Sequence, residues 1–523
     1  MSFVTGTIAR AAFVLILFNV LSKLTALVRE VVIARQFGAT AAMDAFLVAF
    51  SLPSVLFFLF TGAVATVVVP VYSEYIARGE EREAQDLFGT FFNVLLLFLV
   101  LATALGMLFA PVLVKMLAPD FPADTASLAV MLTRWMFPFL IFSGLSALFT
   151  GLLNARNIFA VTALNGPLSN IAVIVAVLAL GGLWGVQGMA LGVLAGGVAG
   201  AVVQLPALRR TGYHFRPGVA LNHPDLKKIF KLLLPITIGY SISETYILID
   251  RYLASGLAVG SIAALNYANR LIQMPLGLFV TAIGTAMFPA LTRRAAENDL
   301  SGLGEGVRRS LRIVVLVCVP AAVLLLVLRE QLVTLFFQRG AFDARAAEMT
   351  AVALFFYSFG LVGQAGEFIL ARGFFSVQNT RTPMVLSAVA VLINLGLSLT
   401  LIGPLQHGGL ALANSIAAIS NMVMMIYFLN RRIAGLWLPE MWWFSARVLL
   451  AALVTTGLLQ VIIQTAGLFD ATGMIDSAVQ VGLAAAIGLA VYLLALTVLR
   501  LSEAGQFWDL VGRALIHRLR WRK

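Results

Sequence analysis

Asn266, Arg270 and Gln273 stand at i, i+4 and i+7 in a stretch that is otherwise almost wholly apolar. On an α-helix those positions share one face, so the stretch reads as a helix carrying a single polar stripe. A guanidinium on that stripe presents a planar fork of donors suited to phosphate oxygens. The competing reading is an ion pair with a structural acid, for which Asp250, Glu244 and Glu30 are the candidates.

A second cluster, Lys23, Arg29 and Glu30, interrupts the first apolar stretch. Lys23 and Glu30 are seven residues apart, as are Ser22 and Arg29, so each pair shares a helix face. A charge at the centre of a bilayer costs at least ~2.5 kcal/mol on insertion scales, so such a cluster points to a wet cavity. Asp44 heads the second apolar stretch. Glu244 and Arg251 can neutralise one another, and Asp250 can hold a cation or pair with Arg270. Glu367 and Arg372 lie near the end of a later stretch, where Arg372 reads as a structural residue that snorkels to the surface, as do Lys115, Arg134 and Arg329.

This is chemistry of binding rather than of bond cleavage. Cys318 is the only cysteine and sits in an apolar run, so no disulfide or thiolate metal site can form within one chain. His214, His223, His407 and His517 are scattered, with no HExxH pair, and no G-x-x-x-x-G-K-[ST] loop occurs. No catalytic residues and no cofactor are expected, and a membrane enzyme would need larger extramembrane loops bearing paired acids.

The elements that position these groups must be membrane helices. Of 523 residues, 61% are hydrophobic and 11% charged, where a soluble domain has about 25% charged; mean hydropathy is +0.97. Apolar stretches exceeding the roughly 20 residues that cross a bilayer recur to about residue 500. The expectation is an all-α polytopic membrane protein with about fourteen spans, kinked at Pro53, Pro70, Pro275 and Pro289.

The net charge of +12 could suggest nucleic acid, but the basic residues cluster in alternate connections, among them Arg78 and Arg82, Lys227 to Lys231, Arg293 and Arg294, and Arg431 and Arg432. That is the positive-inside pattern, which gives an inner-membrane protein with both termini cytoplasmic and no nucleic-acid partner. Trp437, Trp442 and Trp443 read as an interfacial belt. The tail, with Trp508, Leu510, Leu515 and Ile516, reads as an amphipathic segment on the cytoplasmic leaflet.

Two halves repeat. Gly188-Met-Ala-Leu191 precedes Arg209-Arg210 as Gly409-Leu-Ala-Leu412 precedes Arg431-Arg432. Upstream, Leu153 to Arg156 leads to Pro167 as Leu370 to Arg372 leads to Pro383, and Asp44 stands nine before Pro53 as Asn266 does before Pro275. The domain expectation is a six-helix lobe over 1–215, a second over 216–432, two further helices over 433–500 and a basic amphipathic tail over 501–523. Same-orientation repeats are a transporter signature, with the substrate site expected between them.

Ser22 to Glu30, Ala34 to Ala39 and Asp44 to Phe50 together resemble the opening of the MurJ (MviN) lipid II flippases. Ala264 to Gly277 and Ala371 to Pro383 are similar to later motifs of the same family. The resemblance runs the whole length and implies the fold of the multidrug/oligosaccharidyl-lipid/polysaccharide exporter superfamily. It implies a monomer that binds an undecaprenyl-pyrophosphate-linked glycan among membrane lipids, with Lys23, Arg29 and Arg270 as cavity cations and Glu30 and Asp44 as matching acids. Where the family carries an arginine pair in the second span, this chain has Phe57 and Phe58. Some members are implied to bind Na+, at positions matching Asp250, Asn394 and Asn414, with Ser398 where an acid is expected. Three functions compete: flipping of lipid II, export of another polyprenyl-linked glycan, and cation-coupled drug efflux. Three cavity cations count against the last.

Overall fold

The computed structural model describes residues 2–213, 245–433, 435–436, 439–466 and 474–501. Among them every regular element is helical and no strand occurs. The expected positions Arg216, Lys227, Lys228, Lys231, Glu244, Trp437, Asp470 and the tail beyond Leu501 lie outside the described residues.

The described residues form two compact units, Met1–Ala263 with Phe337–Ala346, and Ala264–Phe336 with Ala347–Lys523. The first is built from α1 (Ser2–Phe37), α2 (Ala41–Arg78), α3 (Glu81–Leu108), α4 (Ala110–Leu117), α5 (Ala123–Met136), α6 (Phe139–Ala155), α7 (Phe159–Ala163), α8 (Asn165–Trp184), α9 (Val186–Val202), α10 (Leu205–Arg210) and α11, residues 245–254. α12 (Ser261–Pro275) begins in the first unit, and a π turn (Leu276–Val280) and α13 (Thr281–Ala296) follow in the second. Then come α14 (Leu300–Val327), α15 (Arg329–Phe336), α16 (Ala344–Ser376), α17 (Arg381–Asn430), α18 (Pro439–Ala466) and α19 (Met474–Val498).

Among the described residues, 11 helical segments are long and apolar enough to cross a membrane. One of these, α17, holds two spans, because Gln406 breaks it with non-helical torsions (φ 51°, ψ −134°). The remaining expected spans are α1 and the seventh, most of which lies outside the described residues, so the expected count of about fourteen fits. Of the expected kink points, Pro275 ends α12 in a π turn, as loss of an amide donor and ring clash with the preceding turn would produce. Helices continue through Pro53, Pro70 and Pro289.

The repeat is written in the backbone. Left-handed residues recur between corresponding helices at Gly38 and Gly260, Gly79 and Asn298, Asn157 and Gln378, and Gly185 and Gln406. Gly188 abuts Leu180 as Gly409 abuts Leu401. The last two pairs share a register of 221 residues with the Gly188 and Gly409 motifs. The upstream motif match, Arg156 with Arg372 and Pro167 with Pro383, runs at 216 and is out of step with the helix ends. The register is 221 on both sides of α7, at Asn157 and at Gly185, so that helix is no insertion and the upstream match does not pair corresponding positions.

In the first unit, α2, α3 and α6 enclose a core of Tyr72, Phe88, Phe91, Leu99, Leu140 and Phe149. α9 lies against α8 along Gly188, Gly192 and Gly196, where a Cβ would meet Leu180, Ala176 and Ser169. Small residues at this spacing let apolar helices approach closely in lipid. In the second unit, α18 and α19 pack together and against α14 through Phe444, Val448, Tyr492 and Leu496. Trp442 and Trp443 are largely exposed in the first turn of α18, where an interfacial belt would put them.

Candidate functional site

α1 and α8 position the first charge cluster. Gly166 lets α8 approach until a Cβ there would collide with the Ser22 hydroxyl. One turn along, Asn170 is buried, and its Nδ2 donates to Ser22 O and Thr25 Oγ1, both at 3.1 Å. Its Oδ1 accepts from Arg29 Nη1 at 2.9 Å, while Arg29 Nη2 donates to Glu30 Oε1 at 2.5 Å. The guanidinium is thus clamped between a neutral amide and one carboxylate, yet its side chain stays 23% exposed against 7% for Glu30. Lys23, a residue after Ser22, is exposed and makes no ion pair among the described residues.

Asp44 sits in the first turn of α2, 4% exposed. Its Oδ2 accepts from the Gly260 amide at 2.6 Å and its Oδ1 from the Ala263 amide at 2.8 Å. An anion there satisfies amides that the start of α12 leaves unbonded and complements the positive end of that helix. Next to it the backbone is interlocked. Ala341 N donates to Arg35 O at 2.9 Å. A Cβ on Gly38 would overlap Ala341 O, one on Gly340 would overlap Arg35 O, and one on Gly260 would overlap Ala39 O. All three glycines have positive φ.

Further along α12, Asn266 is half-buried and Arg270 and Gln273 are exposed, while Tyr267, Ala268, Leu271 and Ile272 on the opposite side are buried. The polar stripe expected from the spacing is the exposed face of this helix.

Of the residues matched to a cation site, Asp250 lies in the first unit, with a buried Oδ1 that has no hydrogen-bond partner among the described residues. In the second unit, Asn394 and Ser398 lie one turn apart on α17, both fully buried, and Asn394 Oδ1, Asn394 Nδ2 and Ser398 Oγ have no partner among the described residues. Asn414 lies beyond the break at Gln406 and is half-buried. Asn421 donates from Nδ2 to Ser387 Oγ at 3.4 Å. Arg372 stacks on Phe368, 3.8 Å from its ring centroid.

Phe57 and Phe58 join an aromatic ladder. Phe57 packs 5.4 Å from Phe58 and 5.8 Å from Phe139, and Phe139 in turn lies 5.7 Å from Phe50. Phe58 remains half-exposed.

The structure brings Arg29 and Glu30 together, sets Asp44 on backbone amides, and aligns Asn266, Arg270 and Gln273. Asn170 is the site residue that sequence reasoning missed. Its only signal was a lone amide in an apolar run.

The profile of the family described as "Lipid II flippase MurJ" matches residues 33–479. The Burkholderia cenocepacia protein named "Lipid II flippase MurJ" is 34% identical, with 87% of this chain and 90% of that protein covered. The "Probable lipid II flippase MurJ" of Vibrio cholerae is 30% identical, covering 95% of this chain and 97% of its own. Among solved structures, one titled "Lipid II flippase MurJ, inward closed conformation" aligns with a TM-score of 0.80 at 22% identity, over 95% of this chain and 100% of that one. An inward-facing MATE family transporter of the MOP superfamily aligns at 0.68 and 14% identity, over 81% of this chain and 98% of its own.

Proposed function

The chain belongs to the lipid II flippase MurJ family, and we propose from that membership that it carries lipid II from the cytoplasmic to the periplasmic leaflet of the inner membrane. The observation that carries the chemistry is Arg29, an intramembrane guanidinium oriented by Asn170 and still accessible beside Glu30. A pyrophosphate is the ligand that a fork of charge-assisted donors suits best. In the same unit Lys23, also exposed, supplies further positive charge; in the second unit the exposed Arg270 shares its face with Asn266 and Gln273, which offer neutral donors and acceptors.

Transport proceeds by alternating access, with no covalent step. Capture must be reversible, so the carboxylate that shares Arg29 is as necessary as the cation. Glu30 holds the guanidinium when substrate is absent and regains it on release, which keeps the two end states close in energy. With both termini cytoplasmic, as the basic connections favour, a membrane potential negative inside drives an anion outward by ~2.3 kcal/mol per charge per 100 mV.

Sodium is the second element of the proposal. Asn394 Oδ1 and Ser398 Oγ are buried oxygens lacking partners among the described residues, the donor type that a hard cation takes. These two positions fit the group, and the family resemblance adds Asn414 in the same unit. Bound there, Na+ would satisfy groups that are otherwise costly to bury.

Depletion of the resident lipid II flippase in a bacterial host, with this chain expressed in its place, tests the function. Survival with normal cell shape is expected. Lysis despite full membrane insertion would overturn it.

A further inference from the structure

A cleft of about 440 Å³ opens in the second unit where α13 ends, α14 begins and the chain enters α18. Arg294, from the last turn of α13, and Arg308, from the third turn of α14, line it with Ser301, Gly302 and Gly435. Among the described residues each guanidinium is fixed by one bond, Arg294 Nη1 to Gly302 O and Arg308 Nη1 to Gly435 O. Neither makes an ion pair among the described residues, so each keeps donors for a ligand.

The two acids in the cleft are not equivalent. Asp299 is the N-cap of α14, where its Oδ1 accepts from Gly302 N at 2.8 Å and Ser301 Oγ at 2.9 Å. The Gly302 amide first, then the Ser301 hydroxyl and the Arg294 charge, hold its carboxyl below the usual carboxylate range, so it stays ionised with its oxygens engaged at the helix end. Glu305 is exposed on the rim. The two arginines formally balance the two carboxylates, but the Asp299 oxygens are engaged at the helix end and Glu305 is solvated on the rim, which leaves the remaining guanidinium donors to a ligand.

The cleft also has a defined depth. The apolar run of α14 begins at Ile313. Nearby, Arg312 lies 5.2 Å from the Phe444 ring and 3.8 Å from Glu440, in the turn of α18 that exposes Trp442 and Trp443. Exposed tryptophans at the start of an apolar helix mark the headgroup layer.

We propose that this cleft binds the phosphodiester of a membrane glycerophospholipid, its phosphate between Arg294 and Arg308 and its acyl chains along the exposed side of α14 near Ile313. Two guanidinium forks with spare donors suit the paired oxygens of a phosphodiester, and headgroup depth selects a lipid over a soluble anion.

The test uses the full chain in neutral detergent, with thermal midpoint and native mass spectrometry read against added phosphatidylglycerol, phosphatidylcholine or inorganic phosphate. Wild-type protein retains phosphatidylglycerol and gains midpoint. The R294Q/R308Q variant loses affinity by about tenfold or more, as expected for removing charge-assisted bonds, whereas R309Q, altered outside the cleft, is unchanged. Glu305→Gln, on an exposed rim position, provides a readout independent of any folding defect at Arg294 and tightens phosphatidylglycerol binding by about two- to fivefold through loss of rim repulsion. Equal lipid retention by R294Q/R308Q and wild type, or unchanged affinity in Glu305→Gln, would overturn the assignment. So would protection by inorganic phosphate without protection by phosphatidylglycerol.

Discussion

Asp44 Oδ2 accepts from the Gly260 amide at 2.6 Å, joining the first turn of α2 to a segment 216 residues later in the chain. With the second bond from Ala263, the buried carboxylate ties the start of α12 down. Asp44→Asn keeps the shape but can offer only one acceptor to two amides. It should lower unfolding free energy on the order of 2 kcal/mol, the value of a hydrogen bond to a charged group. Asp44→Ala should cost more, because both amides lose their partner. Chemical denaturation in detergent reads the order, and equal midpoints for all three proteins would refute the tie.

The glycines beside that tie separate two costs. Gly79 also has positive φ, yet a Cβ there meets nothing within 4 Å. Gly79→Ala should therefore cost only left-handed strain, about 1–2 kcal/mol. Gly38→Ala, Gly260→Ala and Gly340→Ala should each exceed that, since the added methyl overlaps a carbonyl oxygen in addition. Thermal midpoints of the four variants decide it.

Asn170 orients Arg29 without carrying charge. Asn170→Ala leaves the guanidinium a single partner, and the expected result is about tenfold weaker binding of lipid II with a smaller change in maximal transport, for the loss of one such bond. Asn170→Asp should weaken binding further by neutralising the cation. A liposome flipping assay across substrate concentrations separates affinity from rate.

Arg270 lies on an exposed stripe whose opposite face carries the packing. Arg270→Ala should therefore abolish complementation while changing the thermal midpoint little. Arg270→Lys keeps charge without the planar fork and should support only partial growth. Full growth with alanine would remove Arg270 from the substrate's path.

If Na+ occupies the site containing Asn394 and Ser398, adding NaCl to protein in potassium buffer should raise the thermal midpoint, by about 2.7 kcal/mol of stability at a hundredfold excess over the dissociation constant. Asn394→Ala and Ser398→Ala should remove that response. Identical responses to Na+ and K+ in the native chain would dismiss a selective site.

Much of this architecture could be read along the chain because it depends on spacing and composition. Apolar length gave membrane helices, and the i, i+4, i+7 pattern gave the face of α12 that carries Arg270, since helix geometry fixes which residues align. The repeat was visible at Gly188 and Gly409 but misaligned upstream, because the residues matched there, Arg156 with Arg372 and Pro167 with Pro383, stand five residues off the 221-residue register that the helix ends share. Sequence also chose Arg29 and Glu30, whose bond is between neighbours.

Partners far apart in sequence were out of reach. That Asn170 would grip Arg29, 141 residues away, and that Asp44 would bind backbone amides instead of a cation, depend on which helices meet and at what height. An apolar helix can present a lone polar residue to many neighbours, and a carboxylate serves equally as counter-ion or as helix cap. Local sequence therefore determined the elements and the types of group they carry. The tertiary structure decided the pairing, because hydrogen bonds form only where packing brings donor and acceptor within about 3 Å.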